Sequence, residues 1–143
     1  MKTIIGPLDF SSTTQKQLDI IEQMALAFKS KVFLMHIENL SKEPADFSAG
    51  PDTVRKRAAR EISDKCHEIH KKGEVLQAKG IDVTSLLIEG DIAETILDHA
   101  AKKDADMIIV GTHRKNIVSK ALLGSISEKV LNGSSCPVLL IKP

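Results

Sequence analysis

The chain contains no tryptophan and no tyrosine, and its four phenylalanines are scattered along 143 residues. Proteins that read single strands or splayed bases depend on aromatic platforms for stacking, so a nucleic-acid partner is not expected. Cysteine is equally sparse. Cys66 and Cys136 lie far apart and form no CxxC pair, which predicts reduced thiols in a helix and a strand rather than a disulfide. Nor is there an excess of one charge: 20 Lys and Arg stand against 19 Asp and Glu, a formal net charge of +1, so any charged partner has to be selected locally. No apolar run approaches the roughly 18 residues that a membrane span requires. The first residues also lack the charged-then-apolar pattern of a secretory signal, and the expected location is the cytoplasm, with no membrane partner.

What is present is a hydrophobic fraction of 42% in a length suited to one domain, residues 1–143, around a single core. Ile4-Ile5 and the runs 32–37, 83–88, 107–110 and 138–141 are short and rich in β-branched residues, and amphipathic segments separate them. That alternation predicts an α/β fold with a mainly parallel sheet. Leu18, Ile21, Ala25 and Phe28 recur at helical spacing after Ser11 and Ser12, which predicts an N-cap there and a first helix to about Lys29. A loop with Pro44, Gly50 and Pro51 precedes a long helix marked by Val54, Ala58, Ile62, Cys66, Ile69 and Leu76, ending near Gly80 and weakened or kinked at Gly73. Asp91 and Glu94 form a D-x-x-E signature that caps a third helix through Lys103. A short fourth helix runs from Ser125 to Leu131 and stops around Gly133.

The densest functional signal is Gly111-Thr112-His113-Arg114, which trails the apolar run 107–110 and is followed after nine residues by Gly124-Ser125. Glycine lets the backbone approach a ligand closely, and a helix N-terminus offers unpaired N–H groups and partial positive charge, a combination suited to a nucleotide phosphate. Ser125 alone reads equally as a plain N-cap.

On these residues the chain resembles the universal stress protein family, whose nucleotide-binding members carry G-x2-G-x9-G-[ST] between the fourth strand and fourth helix. Gly111, Gly124 and Ser125 match, and Arg114 replaces the second glycine. The opening 3–11, the strand end Leu34-Met35-His36-Ile37 and the closing 136–141 extend the likeness over nearly the whole chain. The resemblance implies an open five-stranded parallel, Rossmann-like sheet of order 3-2-1-4-5 with helices on both faces. It also implies that ATP or a related adenine nucleotide, with or without Mg, is the ligand. Asp9 and Ile37 then fall at the adenine-ribose end; Gly111, Gly124, Ser125, Ile126 and Ser127 fall at the phosphate and ribose end, and His113 lines the loop between. Arg114 has two readings: a non-glycine side chain filling the space meant for phosphate, or a guanidinium fork that holds it, with Lys115 and Lys120 nearby. The family's homodimer, formed through the last strand, implies self-association at 138–141.

Other groupings are weaker. Cys66, His67 and His70 would need a further ligand from elsewhere to seat a metal, so no metal site is expected. Arg55, Lys56, Arg57 and Arg60 share their helix with Glu61, Asp64 and Glu68, the pattern of a solvated face. His36, in an apolar strand, reads as a packed, hydrogen-bonded core residue. The chain lacks the lysine of G-x-x-x-x-G-K-[ST] after Gly124, and Gly6-Pro7-Leu8-Asp9 stands where a dehydrogenase needs G-x-G-x-x-G. No metal-holding carboxylate or placed base stands out, and no catalytic residue is expected beyond, at most, slow ATP hydrolysis. Two readings follow: a nucleotide-binding module of stress signalling read by unknown protein partners, and a nucleotide-independent dimeric scaffold of the same fold.

Overall fold

The computed structural model describes residues 1–39, 51–112 and 124–143. Five strands, β1 (Thr3–Pro7), β2 (Lys31–Glu38), β3 (Val83–Glu89), β4 (Met107–Gly111) and β5 (Val138–Ile141), alternate with α1 (Thr14–Phe28), α2 (Pro51–Ala78), α3 (Ile92–Lys102) and α4 (Ser125–Gly133). All neighbouring strands run parallel, in the order β3-β2-β1-β4-β5.

Successive residues of the inner strands serve opposite layers, as the two-residue period of a strand requires. Ile4, Leu34 and Ile109 join Leu18, Ile21 and Ala25 of α1 and Ile69 and Leu76 of α2 on one face. Ile5, Met35 and Ile108 join Ala93, Ile96 and Ala100 of α3 and Val130 of α4 on the other. Pairing is uneven across the sheet: β2 and β3 match from Val32↔Val83 to Glu38↔Glu89, whereas β1 and β4 match only at Ile4↔Met107 and Ile5↔Ile108. Just below that short seam, Asp106 Oδ2 accepts from Lys2 N at 2.6 Å and Thr3 N at 2.9 Å, and these two backbone donors hold its carboxyl below the usual range.

The helix boundaries differ from expectation in instructive places. The N-cap of α1 is Thr13 rather than Ser11 or Ser12, and its side chain makes no capping bond. Instead Ser11 Oγ lies 2.8 Å from Thr13 Oγ1 and accepts from Thr13 N. The long helix begins at Pro51 and continues through Gly73 to Ala78. Gly73 marks a close contact: a Cβ there would stand 2.1 Å from Ser85 Oγ, so its absence lets α2 lie against β3. The cap on α3 is as read from the sequence, with Asp91 Oδ1 accepting from Glu94 N at 3.0 Å. Cys66 and Cys136 are both free and half-buried.

Candidate functional site

Strand order reverses between β1 and β4, and in an open parallel sheet that is where the connections at the carboxyl edge diverge and leave a crevice. The adjacency brings the loop after β1, with Asp9, next to the end of β4, with Gly111.

The floor of this crevice is Gln17, only 1% exposed. Its Nε2 donates to Pro7 O at 2.6 Å and to Ile109 O at 2.8 Å, bridging β1 and β4 above the point where their pairing stops. A Cβ on Gly111 would come 2.8 Å from Thr13 Oγ1 and 3.2 Å from Gln17 Oε1. Gly111 is therefore needed to admit α1 and its cap. Sequence reasoning missed Gln17, although its signal was available: a polar residue sits one turn before Ile21, inside the apolar stripe of α1.

On the β4 side, the N-cap of α4 is Gly124, and Ser125, read as the alternative cap, is the first helical residue. The first backbone bond of the helix runs from Glu128 N to Gly124 O at 3.0 Å, which leaves the N–H groups of Ser125, Ile126 and Ser127 as the end donors of α4. Ser125 and Ile126 are exposed. Ser127 is buried and its hydroxyl donates to Gly111 O at 3.4 Å, tying α4 to β4 rather than standing free for a phosphate. Glu128, exposed in the same turn, is the one acidic group there among the described residues. His113 and Arg114, with Lys115 and Lys120, lie outside the described residues.

On the β2 side, Asp9 is exposed and its Oδ1 accepts from Ser11 N at 3.1 Å. Phe10 follows with φ 56°, a left-handed conformation that costs a non-glycine residue roughly 1–2 kcal/mol. Its ring stacks on His36, centroids 4.5 Å apart. His36 is buried, as its apolar setting suggested; Nδ1 donates to Leu8 O at 2.7 Å and Nε2 lies 2.8 Å from Glu38 Oε1. Lys65 of α2 pairs with the same Glu38 oxygen. Burial raises the Glu38 carboxyl, but hydrogen bonds from Lys65 and His36 outweigh it and hold the group below its usual value. Ile37 is buried at the end of β2.

Away from the crevice, His70 Nδ1 donates to Cys66 O at 2.8 Å, with Cys66 Sγ 3.7 Å away. Among the described residues no three His, Cys, Asp or Glu side chains gather as metal ligands. An open depression of about 610 Å³ lies on that side, lined by Ile62, Cys66, His67, His70 and Leu87. No described helix is long and apolar enough to cross a membrane.

Comparison with known proteins adds an independent line. Residues 1–142 match the universal stress protein family. The universal stress protein MJ0531 of Methanocaldococcus jannaschii is 27% identical over 141 residues, covering 99% of this chain and 82% of its own. The solved structure of protein MJ0577 superposes with a TM-score of 0.80 at 26% identity, over 99% of this chain and 96% of that one. A universal stress protein from Archaeoglobus fulgidus, solved in complex with dAMP, shares the fold with a TM-score of 0.71 at 16% identity, over 99% and 98% of the two chains.

Proposed function

The chain belongs to the universal stress protein family, and on that premise we propose that it is an adenine-nucleotide-binding module that acts as a dimer in stress signalling. The observation that carries this reading is the end of α4. The N–H groups of Ser125, Ile126 and Ser127, without a partner among the described residues, stand behind Gly124, at the reversal of strand order and beside the end of β4. Such an end favours an anion by its donors and its partial positive charge. The relative solved with dAMP supports an adenine nucleotide as the anion's carrier.

In this reading Asp9 and the Ile37 backbone take the adenine-ribose end. Gly111, Gly124, Ser125, Ile126 and Ser127 take the phosphates, with His113 and Arg114 completing the loop and Mg accompanying ATP. The preference is for ATP. Binding changes the surface of the loop between β4 and α4, and protein partners read that surface. Pairing of β5 with its twin forms the dimer; Val138, Leu139 and Leu140 are half-buried on this edge strand.

Calorimetric titration with ATP, ADP and AMP, each with and without Mg, combined with light scattering on the same sample, tests the proposal. Micromolar binding to a dimer is the expected result. The second reading, a scaffold independent of nucleotide, is favoured by the same apolar edge, which needs no ligand to associate. A folded dimer that binds none of the nucleotides would establish it.

A further inference from the structure

We infer that His36 is a positioning residue for the adenine end of the crevice: its imidazole occupies the Leu8 carbonyl and so leaves the Ile37 N–H available to a bound base. The inference rests on the nucleotide reading above and assigns a role to a side chain outside that site.

The argument begins with the hydrogen-bond ladder. Along β2, Lys31 N donates to Lys2 O on the β1 side and Val32 N to Asp82 O on the β3 side, so odd-numbered residues direct their N–H toward β1. Leu8 N donates to Met35 O at 2.8 Å, which carries the ladder past the last residue of β1. The next rung would run from Ile37 N to Leu8 O. Among the described residues no backbone donor reaches Leu8 O, and the bond it receives is the 2.7 Å one from His36 Nδ1. A carbonyl can only accept, so this nitrogen carries a proton.

Replacing a rung by a side chain ends the sheet one residue early on the β2 side. It turns a strand N–H toward the crevice and fixes the Leu8 carbonyl from which the chain leads into Asp9. The ring is held for this task. Phe10 covers it, Glu38 engages its far nitrogen, and Lys65 anchors Glu38 to α2. At 8% exposure, His36 acts through Leu8 and Ile37 rather than by touching the ligand.

Two isosteres separate this role from simple core filling. The amide nitrogen of asparagine superposes on Nδ1 and keeps the bond to Leu8, whereas that of glutamine superposes on Nε2 and keeps only the contact with Glu38. The expected result in calorimetry is that His36→Asn binds ATP and AMP like the parent, while His36→Gln binds both about tenfold more weakly, the value of one well-placed hydrogen bond. Equal affinities in two folded variants, whether retained or lost together, would overturn the inference and leave the nucleotide reading standing. A parent protein that binds neither ATP nor AMP would overturn both. Amide hydrogen exchange on the parent protein needs no substitution. The Ile37 amide is expected to exchange faster than that of Met35 in the free protein and to slow when AMP is added; equal protection of the two before addition refutes the role of His36.

Discussion

Gln17 shows how much of the site depends on one buried amide. Both carbonyls it bridges, Pro7 O and Ile109 O, belong to strands that have already parted, and no water-exposed alternative serves a residue 1% exposed. Gln17→Leu fills the same volume but strands both acceptors, and an unsatisfied buried polar group costs about 1–3 kcal/mol. The expected loss is therefore roughly 2–6 kcal/mol, measured by urea unfolding. Gly124 makes the opposite case. Its φ of −70° and ψ of 158° suit any residue, and serine is at least as good an N-cap as glycine. On the proposed nucleotide reading, Gly124→Ser is expected to keep or slightly raise the melting temperature while weakening ATP binding, because only the close approach proposed for the phosphate is lost. At this scale the sequence was half legible. Gly111 drew notice by its spacing from Gly124, but its close contact with Thr13 and Gln17 was not foreseen. Gln17 drew no notice, since its value comes from two carbonyls 10 and 92 residues away.

Helix ends were legible where the signal was local. Asp91 and Glu94 are three apart, and the bond between them is the cap. The start of α1 was misjudged because the hydroxyl of Ser11 is turned to Thr13 and its N–H to Asp9, in a turn shaped by the left-handed Phe10 and its contact with His36. The C-cap of α1 offers a test of backbone cost. Lys29 has φ 53° and donates its N–H to Ala25 O, a left-handed end ordinarily assigned to glycine. Lys29→Gly is expected to stabilise the protein by roughly 1 kcal/mol, read as a higher midpoint in urea, because the left-handed strain disappears while the backbone bond remains.

For the whole molecule, strand order was implied by family resemblance rather than by periodicity, since hydrophobic runs do not say which strand neighbours which. Contacts that join distant parts of the sheet also set the response to acid. Glu38 is held below its ordinary value by partners on β2 and α2. A carboxyl so depressed stabilises the folded chain fully above its ordinary value, about 4.3, and the contribution is lost as pH falls through the lower folded value. Thermal melts between pH 3 and 6, roughly the carboxylate range, are expected to show a steeper acid-side loss for the parent than for Glu38→Gln.

The short seam between β1 and β4 has a consequence for how the chain is made. During synthesis β1, α1, β2, α2 and β3 emerge in order and already constitute three adjoining strands with one helical layer. The other flank of β1 remains open until β4 arrives, about a hundred residues after β1 began, and only then can the Gln17 amide find its second carbonyl. Pairing strands so far apart in sequence carries a loop-closure entropy cost, and non-local contacts of this kind slow folding. The crevice is thus assembled late, and a ligand that bridges its two sides binds only chains in which β4 has joined β1.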